Sequence, residues 1–86
     1  MEYEVKFHVD GGFKPYRFAD AAEYNENGEL QAIYQVGRVN KNGTIVSREL
    51  KVLSDISKSP DAQGVPLLFK PYNTDENYYI LYGEDE

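Results

Sequence analysis

The stretch LQAIYQVGRVNKNGTIVSRELKVL, Leu30 to Leu53, decides how the rest of the chain is read. Its two halves, Leu30–Val39 and Thr44–Leu53, are rich in β-branched and apolar residues. Asn40-Lys41-Asn42-Gly43 separates them, and an Asn-Gly pair readily takes the left-handed backbone that a tight hairpin turn requires. The spacing predicts a β-hairpin. Asn42-Gly43-Thr44 also matches a glycosylation acceptor, but with no secretory signal it reads as the tip of that hairpin.

Upstream, Tyr3, Val5, Phe7 and Val9 alternate with Glu2, Glu4, Lys6 and His8, the period of a half-buried strand, and Asp10-Gly11-Gly12 ends it with turn chemistry. Phe18 to Tyr24 reads two ways: Phe18, Ala21 and Ala22 sit at helical spacing, while Asn25-Glu26-Asn27-Gly28 equally suits a loop joining a strand to Leu30. Downstream, Ser54 to Gly64 reads as a polar connection with at most one helical turn before Pro60. Val65–Tyr72 and Tyr78–Tyr82 read as a last strand pair, with Pro66 and Pro71 marking an edge or strand ends. The predicted fold class is mainly β: a small antiparallel sheet of five or six strands, alone or with one short helix (α+β), in preference to any βαβ arrangement. Residues 1–82 read as a single domain and 83–86 as an acidic tail.

Composition narrows the function classes. The 86 residues include no cysteine, so thiolate metal sites, disulfides and thiol nucleophiles are excluded. Met1 to Val5 carries no basic leader and no segment approaches the roughly 20 apolar residues of a membrane helix, so the expected location is cytoplasmic. Fifteen acids against nine bases give a net charge of −6. The charge is not uniform: residues 1–29 carry −4, residues 30–60 carry +3, and residues 61–86 carry −5.

Catalytic signatures are absent. His8 falls on the polar side of the first strand with no partner in view, and no serine sits in a G-x-S-x-G elbow. The seven glycines never assemble into a phosphate-cradling loop. Glu23-Tyr24-Asn25-Glu26-Asn27-Gly28 has the alternating oxygens of a calcium loop, but Tyr34 stands where the bidentate Glu belongs. The expectation is a non-enzymatic protein without cofactor or metal. Direct nucleic-acid binding through Arg38, Lys41, Arg48 and Lys51 is disfavoured, because Arg48 and Lys51 have opposite parity on one strand.

What remains is an acidic surface set with tyrosines. The candidate partner-binding residues are Glu2, Glu4, Asp20, Glu23, Glu26, Glu29, Asp75, Glu76, Tyr78, Glu84 and Asp85, forming one broad face if the terminal strands lie together. Such a surface steers a basic protein in, while desolvated tyrosines anchor it. In size, charge and tyrosine content the chain resembles small phage-encoded proteins that mimic DNA and block a host DNA-binding protein or nuclease. That resemblance implies carboxylates placed roughly as phosphates are, and a nucleic-acid-binding partner with a basic groove that the protein inhibits or modulates. The apolar run Val65-Pro66-Leu67-Leu68-Phe69 suggests a homodimer in which Tyr- and Phe-rich edge strands pair across a two-fold axis and join two acidic patches; the alternative function is an assembly module that joins a larger complex by edge-strand pairing.

Overall fold

The computed structural model of the chain describes residues 1–83. Five strands and one α-helix make an α+β fold: β1 (Glu2–His8), β2 (Tyr16–Tyr24), β3 (Leu30–Gly37), α1 (Ser47–Ser57), a 3₁₀ turn (Pro60–Ala62), β4 (Leu67–Pro71) and β5 (Ile80–Tyr82). The sheet order follows the chain, β1-β2-β3-β4-β5. Three of its four pairings are antiparallel, as expected, and residues 18–24 resolve as strand. The fourth departs from expectation: β3 and β4 are parallel, and parallel neighbours need a crossover, which α1 supplies.

The hairpin expected over Leu30–Leu53 is therefore corrected in its second half. The turn forms, with Asn40 N–H donating to Thr44 O at 2.6 Å, Gly43 N–H to Asn40 O at 2.9 Å, and Gly43 at φ 88°. Pairing then stops after a single bridge, Val39 to Ile45. From Ser47 the chain turns helical because Val52, Leu53 and Ile56 fall on one helical face, and burying it against the sheet outweighs the β preference of the preceding Thr-Ile-Val. Glu49 in the first turn suits the positive end of the helix dipole. Lys58 and Ser59 close the helix by donating to Asp55 O and Ile56 O, and Pro60 prevents its continuation.

One side of the sheet holds the core. Phe7, Ala19, Ile33, Leu53, Ile56, Leu67 and Phe69 cluster there with Val39, Ile45 and Ala62. Each large side chain so buried contributes on the order of 2 kcal/mol. The polar clasp of this layer is Asp55, which is fully buried on α1. Its Oδ1 accepts from Phe13 N–H at 2.8 Å, and its Oδ2 accepts from Lys14 N–H at 3.1 Å and from Arg17 Nε at 2.8 Å. These bonds pin the β1–β2 loop onto the helix. Burial alone would push the Asp55 carboxyl upward; the donations from Phe13, Arg17 and Lys14 outweigh it and hold the group below the usual carboxylate range.

The alternation predicted for β1 holds for Val5, Phe7 and Val9 but fails at Tyr3, which is 73% exposed. Glu4 is the cause, since its φ of 54° reverses the step. β2 shifts at the same level: Ala19 and Ala22, three residues apart, are both fully buried. Beyond this level both strands present the opposite parity, and Tyr3 is delivered to the far side of the sheet.

Candidate functional site

Among the described residues, no helix or second sheet covers that far side. Register places Ala21, Tyr34, Leu68 and Leu81 in one row across β2 to β5, with Tyr3 of β1 opposite Ala21. Tyr3, Val36, Tyr79 and Leu81 are 73%, 43%, 54% and 43% exposed, so the row is an open, largely apolar face. Tyr3, Ala21, Tyr34, Val36, Leu68, Lys70 and Tyr79 surround a shallow depression of ≈ 420 Å³. Its middle is ordered by contacts within the face. The Tyr34 ring meets Tyr79 edge-on at 5.8 Å, Lys70 Nζ lies 5.7 Å from the Tyr79 ring centre, and Tyr34 Oη donates to Glu23 Oε1 at 3.0 Å. That hydrogen bond, then partial burial and the Glu23 charge, push the Tyr34 phenol above its ordinary value.

The acids around this face fall into two groups. Glu2, Tyr24, Asn25, Glu26 and Gly28 surround a second depression at the end where β1 begins and β2 ends. Glu23 lies one residue inside that end, and Glu29 closes its turn by accepting from Asn25 Nδ2 at 2.8 Å. Asn25 Oδ1 accepts from both Asn27 N–H and Glu29 N–H. Within the calcium-like stretch, Asn25 Oδ1 is thus committed to holding a turn and Glu23 Oε1 to accepting from Tyr34. Asp20 and Glu4 lie farther along, and Asp20 Oδ2 is tied down by Val36 N–H at 2.6 Å.

Asp75, Glu76 and Tyr78 stand apart from this group. They belong to the β4–β5 connection at the opposite end of the sheet, where Glu76 and Tyr78 share a depression with Arg38, Lys41 and Asn73. Glu84 and Asp85 lie outside the described residues, as does Glu86. The condition for one broad acidic face, terminal strands lying together, is not met, because β1 and β5 are the two outer edges with three strands between them. They do share an end: Glu2 pairs with Ala22, Ala22 with Ile33, Ile33 with Leu67, and Leu67 with Tyr82.

The apolar run Val65–Phe69 also changes meaning. β4 is an interior strand flanked by β3 and β5, with Leu67 5% exposed and Phe69 fully buried. Leu67 and Phe69 need no partner to cover them, while Leu68 faces the open side of the sheet. His8 is exposed on β1, and among the described residues no three His, Asp or Glu side chains gather as metal ligands. No described helix is long and apolar enough to cross a membrane. No family model, curated protein or solved structure matches the chain.

Sequence reasoning missed two features. Val36 and Leu68 were placed in strands without their shared outer face, which depends on the parallel β3–β4 register. Asp55 lay in a segment read as polar connection, and no local pattern marks a carboxylate whose donors come from about 40 residues away.

Proposed function

We propose that this chain is a non-enzymatic binding protein whose acidic, tyrosine-bearing surface engages a basic, DNA-binding protein and blocks or modulates it by standing in for DNA. The observation that carries this reading is the open sheet face with Tyr3, Tyr34 and Tyr79 across it and Glu23 held by Tyr34, at the end of the sheet where Glu2, Glu26 and Glu29 also lie. Tyrosines are amphipathic anchors with few side-chain torsions to lose on binding, and Tyr3 and Tyr34 are presented from strands. Carboxylates along the rim attract a cationic groove over the last nanometre of approach. Tyr34 belongs to both sets, because its hydroxyl already holds Glu23.

A pull-down from bacterial lysate, repeated with competing duplex DNA and at raised salt, tests the proposal. Enrichment of a basic DNA-binding protein, lost on adding DNA and weakened by Glu23→Gln with Glu26→Gln, is the expected result. A partner indifferent to DNA and to both substitutions sinks the mimicry mechanism. One observation favours the assembly alternative: among the described residues β1 pairs with β2 alone, which makes Glu2–His8 an outer edge of the sheet. In that case binding would follow substitutions along β1, Lys6→Pro above all, and ignore salt.

A further inference from the structure

Six large apolar side chains stand on the open side of the sheet, each at least 43% exposed: Tyr3, Tyr16, Phe18, Val36, Tyr79 and Leu81. Phe18 belongs to this side because its neighbour Ala19 points into the core, and Tyr16 meets Phe18 edge-on at 5.8 Å. Five strands about 4.8 Å apart and about six residues at 3.3 Å each give the face a footprint of roughly 500 Å². Two such faces pressed together bury about 1,000 Å², the lower bound for a specific interface. An apolar face of this extent on so small a domain marks a contact surface.

The charges on the face fit a second copy of the chain. β3 runs between β2 and β4; on one side of it Glu23 stands opposite Ala32, and on the other Lys70 stands opposite Val36. Tyr34 lies midway between Ala32 and Val36. Glu23 and Lys70 are therefore symmetric about Tyr34, one strand away to either side and two residues away in opposite senses along the strands. Within one copy their backbones are about 16 Å apart, too far to pair. Both side chains are on the open side, where Glu23 Oε1 accepts from Tyr34 Oη at 3.0 Å and Lys70 Nζ lies 5.7 Å from the Tyr79 ring centre. Neither forms an ion pair among the described residues, and the nearby Asp20 is engaged by Val36 N–H. A two-fold axis between two stacked faces, passing at Tyr34 and crossing the Glu23–Lys70 line at right angles, sets Glu23 of each copy over Lys70 of the other. The general repulsion between two chains of charge −6 is screened beyond about 8 Å at physiological salt.

We propose that the open face pairs with itself: two copies stack sheet on sheet about that axis, with the exposed aromatic and aliphatic side chains between them and two Glu23–Lys70 ion pairs fixing the register. The pairing is face to face, not edge to edge. It does not rest on the partner reading above; what rests on that reading is that a basic partner and a second copy compete for the same tyrosines, and an interface this small is weak enough to give way. Sedimentation equilibrium of the chain alone, up to about 1 mM, tests it. A dimer should appear as concentration rises, and Tyr79→Asp should weaken it about ten-fold or more. Glu23→Lys and Lys70→Glu should each weaken it by a similar factor, because each sets like charges opposite one another, and the double variant should return to within about three-fold of wild type. Since the two positions cannot meet within one copy, that rescue reports contact between copies. Lys58→Glu, beyond the end of α1, should change nothing, and circular dichroism checks that every variant keeps the fold. A monomer throughout the concentration range overturns the pairing. A dimer indifferent to Tyr79→Asp and to both charge variants joins elsewhere and overturns the face, and a double variant no tighter than the single ones overturns the register. Sedimentation needs no partner, so its failure leaves the partner reading standing, and failure of the pull-down leaves the pairing standing.

Discussion

Replacing Asp55 by alanine removes the acceptor of three donors at once and leaves Arg17, whose side chain is 16% exposed, beside a vacated buried site. Hydrogen bonds to a charged group contribute about 1.5–3 kcal/mol each, and removing one partner of a buried ion pair costs about 3–5 kcal/mol. These terms overlap because all three donors share one carboxylate, so the expected loss is about 3–5 kcal/mol. For a domain of this size total stability is on the order of 4–13 kcal/mol, and the melting temperature should fall by roughly 12 °C or more. Urea titration followed by circular dichroism, with Arg17→Met and the double variant, gives both the loss and the Asp55–Arg17 coupling. The pH dependence has a definite sign. The folded carboxyl titrates below its ordinary value, so its contribution is whole above about pH 4 and is lost as pH falls through the folded value. The gap between wild type and Asp55→Ala should be constant near neutrality and close in acid. A loss under about 1 kcal/mol with an unchanged m-value, or a gap that widens in acid, refutes the clasp.

A Cβ on Gly12 would collide with Asp55 Oδ1 and lie 2.5 Å from Val9 Cγ1, both held in place, so Gly12→Ala should cost about 1–3 kcal/mol by denaturant titration. At Gly37 the Cβ would meet Glu49 Cδ at 2.6 Å, the end of a side chain free to swing aside, so Gly37→Ala should cost less; equal losses would show that the Asp55 corner is not rigid. Burial against Gly37 raises the Glu49 carboxyl, Arg48 opposes this, and the Asp20 charge adds to the rise. A raised group stabilises fully below its unfolded value of about 4.3 and loses that contribution as pH rises, so Glu49→Gln should match wild type in acid and melt higher at pH 7. Absorbance titration should show one tyrosine ionisation displaced upward, brought down by Glu23→Gln and absent in Tyr34→Phe.

Local signals in the sequence were read correctly where one strand or one turn decided the outcome. The Val5-Phe7-Val9 alternation and the Asn40–Gly43 turn both appear in the structure. The reading of Thr44–Leu53 as strand failed because β-branched Thr44-Ile45-Val46 sits directly before the helix and hides its start. Val46 occupies the N-cap position without a side-chain hydrogen bond, so no capping signature announced it. The helical spacing of Val52, Leu53 and Ile56 was present, but it straddled the boundary drawn at Leu53. The error propagated: without α1 there is no crossover, and without a crossover β4 cannot be parallel to β3. A parallel interior strand reads as a continuous apolar run, which is what Val65–Phe69 is. The tyrosines and acids of the candidate surface were identifiable as residue types; their grouping was not, because the reversal at Glu4 and the strand order are tertiary outcomes.

The sequence-level charge blocks are also reshuffled by the fold in a way that bears on binding. In the last third, Asp75 and Glu76 go to the end of the sheet that carries Arg38 and Lys41, partly cancelling them. Glu2, Glu23, Glu26 and Glu29 gather at the other end. β1 spans seven residues, about 23 Å at 3.3 Å per residue, against a screening length of about 8 Å at physiological salt. The two ends are therefore electrostatically independent of one another beyond the immediate surface. On the proposed reading, a cationic partner that approaches the acidic end and the tyrosines beside it does so without opposition from Arg38 and Lys41 at the far end.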